Sequence, residues 1–308
     1  MDDEEILACV EAAAGRPLRA PRLTVLGGRQ GLLTCRVADG GQAWVFKAVR
    51  ESGRRELALT ARLAQLAPGL VPEVLASESD LRRGLHWIVM GDVGTRRLAD
   101  SPCVEGFVRT GAALARVQAA TLAETEALRS LGLRVVGASD WEEIALTVLA
   151  AAEGAGGGPG VEPGALEPIV WSATELAQAA AEAPTAVVHG DLHPGNVALR
   201  ESGEPCLLDW GSAYLAAAFA GLEELLLPAA RSLRGDGVAR TAAAYLREWA
   251  PYVGRPSRAE RPCLAARVLV RLQLLGQLLR GRGPGDEFAA AGAFLALQEA
   301  WQAWERRH

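Results

Sequence analysis

At 308 residues, 50% hydrophobic and 22% charged, the chain can fold around a substantial packed interior and has the balance of an ordinary folded protein. A net charge of −5 and a pI near 5.6, without aromatics interleaved among basic residues, exclude a general nucleic-acid binder. Five scattered cysteines (Cys9, Cys35, Cys103, Cys206, Cys263) show no CxxC or metal spacing, which excludes a disulfide framework and a thiolate metal site.

The dispersed thiols and the acidic start MDDEEILACV, where a secretory leader is basic, predict a cytoplasmic protein of monomer or homodimer size. Arg271 interrupts the best apolar stretch, VLVRLQLLGQLL, so no membrane span is expected.

In chain order, a short helix is expected over 3–14. LTVL (23–26), the turn GGRQG (27–31), LLTCRV (32–37), the turn ADGG (38–41) and AWVFKAV (43–49) read as three strands joined by glycine turns. Leu57, Leu59, Leu63 and Leu66 recur at helical spacing through 51–66, so a helix follows the third strand. VPEVLA (71–76) and LHWIVM (85–90) complete a small, mostly antiparallel sheet, and GDVGT (91–95) reads as a connector. Beyond Arg96 the chain turns helical: a long helix over 104–122, then helices near 140–153 and 165–182 flanking the flexible loop GAGGGPG (154–160). Short β-like pieces follow (186–189, 196–199, 206–210), then helices to the end. The expected architecture is α+β and bilobal, with a β-rich lobe over 1–90, a connector over 91–95 and a helical lobe over 96–308.

Two residue types occur once each. Lys47 is the only lysine in an arginine-rich chain, and Asn196 the only asparagine. Asn196 closes HGDLHPGN (189–196), five residues after Asp191, and Asp209 follows thirteen residues later at the end of an apolar strand, in CLLDWGSA. Asp, Asn and Asp on neighbouring loops can divide two tasks. One carboxylate accepts a proton from a hydroxyl, while the other pair offers hard oxygens to Mg²⁺ and its phosphates.

Taken together and in this order, GGRQG, WVFKAV, the helix bearing Glu56, HGDLHPGN and LLDWG resemble the aminoglycoside phosphotransferase/choline kinase family of protein-kinase-like small-molecule kinases. The resemblance implies that Lys47 holds the α- and β-phosphates of ATP, that Glu56 is its ion-pair partner, and that Gly27, Gly28 and Gly31 turn over the phosphates. It implies Asp191 as the base, Asn196 and Asp209 as Mg²⁺ ligands, and the connector at Met90, Asp92 and Val93 as the adenine contact. The expected partner is a small hydroxylated acceptor such as an antibiotic, amino sugar, sugar or amino alcohol. A nucleotide-sensing pseudokinase is the rival reading, weakened because Asp191, Asn196 and Asp209 are all present. A protein kinase is disfavoured because no activation segment follows Asp209. The chain departs from the family in having Gln118 where members often have histidine, and GLEELL (221–226) in place of Asp-Leu-Ala.

Blander readings attach to several residues. Glu51 rivals Glu56 as the lysine's partner, and spacing to Leu59 and Leu63 favours Glu56. His189 and His193 read as loop-fixing groups, and Trp301 and Trp304 as a packing stripe. Glu142, Glu143, Glu223, Glu224, Asp286 and Glu287 read mostly as solvated acids, some of which could line a pocket for a cationic substrate.

Overall fold

A computed structural model of the chain describes residues 1–29, 32–154, 160–255, 257–281 and 286–307. Helix α1 (Asp3–Ala14) starts at a capping box in which Asp2 accepts from the Glu5 amide and Glu5 accepts from the Asp2 amide. Three antiparallel strands follow: β1 (Arg22–Arg29), β2 (Leu32–Asp39) and β3 (Gln42–Arg50). Then come α2 (Arg54–Leu66), β4 (Val74–Asp80) and β5 (Leu85–Gly91), closing a five-stranded sheet in the order β1-β2-β3-β5-β4.

The alternation of β3 decides which side of the sheet carries chemistry. Trp44, Phe46 and Ala48 point to one face, where they pack with Ile6 and Val10 of α1. Burying Ile6 and Val10 stabilises that face by about 1.5–3 kcal/mol each. Opposite parity sends Val45, Lys47 and Val49 to the other face, against α2. Helix α2 bridges the two halves of the molecule: Leu57 packs under the sheet with Ile88 and Met90, while Leu59 and Leu63 join the core of the helical lobe.

Two boundaries differ from expectation. The helix predicted from Glu51 begins at Arg54, because Glu51–Gly53 form a 3₁₀ turn pressed onto Val49. The strand predicted from Val71 begins at Val74, since Pro72 has no N–H to give a ladder.

The helical lobe runs through α3 (Val104–Ala120), α4 (Thr125–Ser130), α5 (Ala138–Gly154), α6 (Glu167–Trp171) and α7 (Ala173–Ala180). The single helix expected over 165–182 is thus two, parted at Ser172. Most of the GAGGGPG loop (155–159) lies outside the described residues. Strands β6 (Thr185–Val188), β7 (Val197–Leu199), β8 (Pro205–Leu207) and β9 (Tyr214–Ala217) make two antiparallel ribbons, β6–β9 and β7–β8. The chain ends in α8 (Phe219–Ser232), α9 (Gly237–Val253), α10 (Ser257–Arg280) and α11 (Asp286–Glu305).

Contrary to expectation, Arg271 does not disqualify its segment: α10, at 24 residues, is long and apolar enough by length and composition to cross a membrane. Here it packs against α5, α7, α8 and α11. Arg271 and Arg267 both reach Glu223 of α8, at 2.6 and 3.2 Å, so a buried carboxylate carries two guanidinium partners. Gln118, at the position of the family's usual histidine, is fully buried and fully bonded. Its amide donates to the carbonyls of Val187 and Ala218, and its oxygen accepts from Tyr245.

Candidate active site

Lys47 meets Glu56 of α2 in an ion pair and lies 3.6 Å from an Asp209 oxygen. Burial raises the Glu56 carboxyl above the usual range, with Lys47 pulling the other way. The rival Glu51 is occupied elsewhere, accepting from His86 at 2.6 Å.

The loop after β6 is shaped by Gly190. Its φ is +82°, and a Cβ there would stand 2.1 Å from the Ser212 carbonyl oxygen. Only glycine allows this loop to pass so close to the segment following Asp209. His189 is buried beneath it. Its Nε2 donates to the Leu208 carbonyl at 2.8 Å, its Nδ1 accepts from the Asp191 amide at 3.3 Å, and burial lowers its pKa. The neutral ring therefore links the Asp191 loop to the Asp209 loop. Asn196 is aimed by its own amide, which donates to the Asp191 carbonyl at 2.9 Å and leaves the side-chain oxygen for another partner.

Asp209 has φ +60° and ψ +69°, and it is the only non-glycine with positive φ among the described residues. Holding a non-glycine residue there costs on the order of 1–3 kcal/mol. The surroundings enforce it: the Leu208 amide donates to the Asn196 carbonyl at 2.9 Å, and Trp210 packs on His189 with centroids 4.6 Å apart.

A cavity of about 410 Å³ lies between the sheet and these loops. Gly27, Lys47, Glu56, Asn196 and Asp209 line it, as do Met90, Asp92 and Val93 of the connector. Val45, Ile88 and Leu57 supply apolar walls. In the connector the Gly91 amide donates to the Glu73 carbonyl and the Asp92 amide to that of Ala43, whereas the Val93 amide has no partner among the described residues. The Asp92 carboxylate is held by Arg36 at 2.7 Å and by the Gly94 amide at 3.0 Å, so it shapes the connector. Gly28 pairs with Leu33 between β1 and β2, and Gly31 lies outside the described residues.

Asp191 lines a second, adjoining pocket of about 270 Å³. Glu224, expected on a solvated face, belongs to this pocket: it accepts from the Gly190 amide at 3.0 Å and from the Tyr214 hydroxyl at 3.3 Å. Burial pushes its carboxyl up to about 8, against the pull of those two hydrogen bonds. Glu223 is likewise no solvated acid, being 3% exposed. The sequence held a signal for both, since each sits inside the leucine-rich run GLEELLL. Glu142 and Glu143 are exposed, and the side chains of Asp286 and Glu287 lie outside the described residues.

A two-lobed body with its one lysine clamped beneath the sheet has the protein-kinase-like architecture. The family is narrower than that: residues 22–261 match the model of the phosphotransferase enzyme family, and the chain belongs to it. By that membership it is a phosphotransferase. No curated protein matches the chain in sequence. Solved structures of the same fold include spectinomycin phosphotransferase APH(9)-Ia with ADP and spectinomycin, at TM-score 0.59 and 11% identity over 97% of this chain and 94% of that one. Macrolide 2′-phosphotransferase MphH from Brachybacterium faecium aligns at TM-score 0.57 and 20% identity, covering 94% and 98%. A thermostable mutant of aminoglycoside phosphotransferase APH(4)-Ia aligns at 0.57 and 15%, covering 97% and 99%.

Proposed function

We propose that the protein moves the γ-phosphate of ATP to a hydroxyl group of a small molecule. One observation carries the reading: Asp191 lines a pocket of its own, beside the cavity that gathers Lys47, Asn196 and Asp209. That is the arrangement a donor nucleotide and an acceptor alcohol require if they are to meet at one carboxylate. The adenine ring fits among Val45, Ile88 and Met90, with the free Val93 amide as its hydrogen-bond donor. Lys47, steadied by Glu56, supplies a compact positive charge to the α- and β-phosphates.

Asn196 and Asp209 suit Mg²⁺. Two hard oxygens from protein leave the remaining positions to phosphates and water, and no cluster of three or more His, Cys, Asp or Glu able to hold a metal occurs among the described residues. When bound, the ion would neutralise phosphate charge.

In the transfer itself Asp191 accepts the acceptor's hydroxyl proton. The acceptor oxygen bonds to the γ-phosphorus as the bond from that phosphorus to the β,γ-bridging oxygen breaks, and ADP leaves with the electron pair. Positioning and electrostatics supply most of the rate. The test is Asp191→Asn, read by calorimetry and by product formation. ADP affinity should persist while turnover falls about 10²–10⁴-fold. Wild-type turnover in this variant would remove Asp191 from the chemistry.

A further inference from the structure

The second pocket is walled by two helices, each presenting one stripe. On α8 it is Glu224, Leu227, Pro228 and Arg231; on α10 it is Val270, Gln273, Leu274 and Gln277. Both follow the i, i+3, i+4, i+7 spacing that aligns side chains on one helix face. Gly190, Asp191, Leu192 and His193 of the loop after β6 form the third side, and the pocket is open to solvent past Arg231 and Gln277.

The lining carries few charges. Glu223, the neighbouring acid, is taken up by Arg267 and Arg271. Glu224 is engaged with Gly190 and Tyr214, and with its carboxyl pushed up to about 8 it is largely neutral at neutral pH. Asp191 is then the one standing negative charge of the described lining, and the basic side chains there are Arg231 and His193, whose Nε2 lies 3.9 Å from an Asp191 oxygen. Arg231 has no hydrogen-bond or ion-pair partner among the described residues, and the side-chain amides of Gln273 and Gln277 have none either. A molecule with several ammonium groups needs several carboxylates to replace its lost hydration. Among the described residues, the lining's one ionised acid is Asp191, the carboxylate that the reaction itself uses. The pocket offers instead two free amides for hydroxyl or carbonyl groups, a free guanidinium, and an apolar wall of Leu227, Val270 and Leu274.

We infer that the acceptor is an uncharged or singly anionic hydroxyl compound with one apolar face, not a polycation, its anionic group falling on Arg231 where it has one. This rests on the phosphotransferase reading above, and the experiment separates the two. The full chain with Mg-ADP is titrated with three probes: the polycation hygromycin B, an uncharged aryl glucoside, and the hydroxy acid mandelate. Each is measured on the wild type and on Arg231→Glu. The wild type should bind the glucoside or mandelate at least about tenfold tighter than hygromycin B. Arg231→Glu should weaken mandelate at least about tenfold relative to the glucoside and strengthen hygromycin B, with both changes shrinking in high salt. Hygromycin B binding the wild type more tightly than the other two probes overturns the inference. So does an Arg231→Glu variant in which the ratios do not move. ADP binding on the same samples reports on the donor site independently, and its absence would count against the phosphotransferase reading alone.

Discussion

The backbone amide of Gly190 donates to the Glu224 carboxyl 3.0 Å away, which ties the loop carrying Asp191 to helix α8. The bond holds Asp191 through its neighbour and makes the tie sensitive to pH. The Glu224 carboxyl is raised from 4.5 to about 8, so between those values the folded protein keeps a proton that the unfolded chain has released. Stability contributed by neutral Glu224 is therefore fully present below about pH 4.5 and is lost as pH rises through about 8. Glu224→Gln, neutral at every pH, should flatten that loss. The wild-type melting temperature should fall more than the variant's between about pH 5 and about pH 9. Parallel profiles would dissociate Glu224 from this behaviour. Glu224→Ala, which leaves the Gly190 amide unpaired, should lower kcat with little change in ADP affinity.

Lys47→Arg tests the solitary lysine. The longer planar guanidinium cannot occupy the slot between Glu56 and Asp209 as a point charge does. Turnover should fall roughly 10²–10³-fold, and the stabilisation conferred by nucleotide should shrink. The melting temperature without nucleotide should stay close to wild type. Arg62→Lys is the control, since Arg62 pairs with Glu124 at the surface and such pairs contribute about 0–1 kcal/mol.

Asp209→Gly should make the protein more stable and less active. Glycine adopts φ +60° without strain, and removing the carboxylate relieves the charge that helps to raise the Glu56 carboxyl. A gain of about 1 kcal/mol is expected in thermal unfolding without ligand. Mg²⁺-dependent strengthening of ADP binding, read by titration with and without chelator, should disappear. A variant that is destabilised, or that keeps its magnesium response, contradicts the assignment.

Gly190→Ala and Gly292→Ala should have opposite signs. At Gly190 the new methyl collides with Ser212 and the backbone has positive φ, so a loss of at least about 1–3 kcal/mol is expected, with Asp191 displaced and turnover reduced. At Gly292, within α11, the methyl meets open space, so a gain of about 0.4–1 kcal/mol is expected. Denaturant unfolding of both variants checks the pair.

Much of this site is legible in the sequence because its residues break local habits. A lone lysine amid WVF and AV, and a lone asparagine in a proline-bent loop, have no packing reason to persist, and their order along the chain restricts the fold. Strand alternation puts Lys47 on the face opposite Trp44, Phe46 and Ala48, as the packing shows. What escapes is whatever depends on partners distant in sequence. Glu223 and Glu224 look like ordinary helix-surface acids until α10 brings Arg267 and Arg271 to one and the loop after β6 brings Gly190 to the other. The signal was present on both sides: two acids within a leucine run, and two arginines four residues apart within the apolar stretch CLAARVLVRLQLLG. The strand start at Val74 and the break at Ser172 were less legible, being set by Pro72 and by packing.

The single lysine also gives the molecule a built-in cutting point. A protease specific for lysine finds one susceptible bond, 47–48, in the central strand of the five-stranded sheet, paired on both sides by β2 and β5. Cleavage there requires that strand to come free of its neighbours, so digestion proceeds only through molecules whose β-rich lobe has opened. Two fragments of known size would accumulate at a rate set by that opening. Adding Mg-ADP should slow their appearance in proportion to how much more tightly the closed lobe holds the nucleotide. Gel densitometry on the unmodified protein would then measure the stability of this lobe apart from that of the helical one.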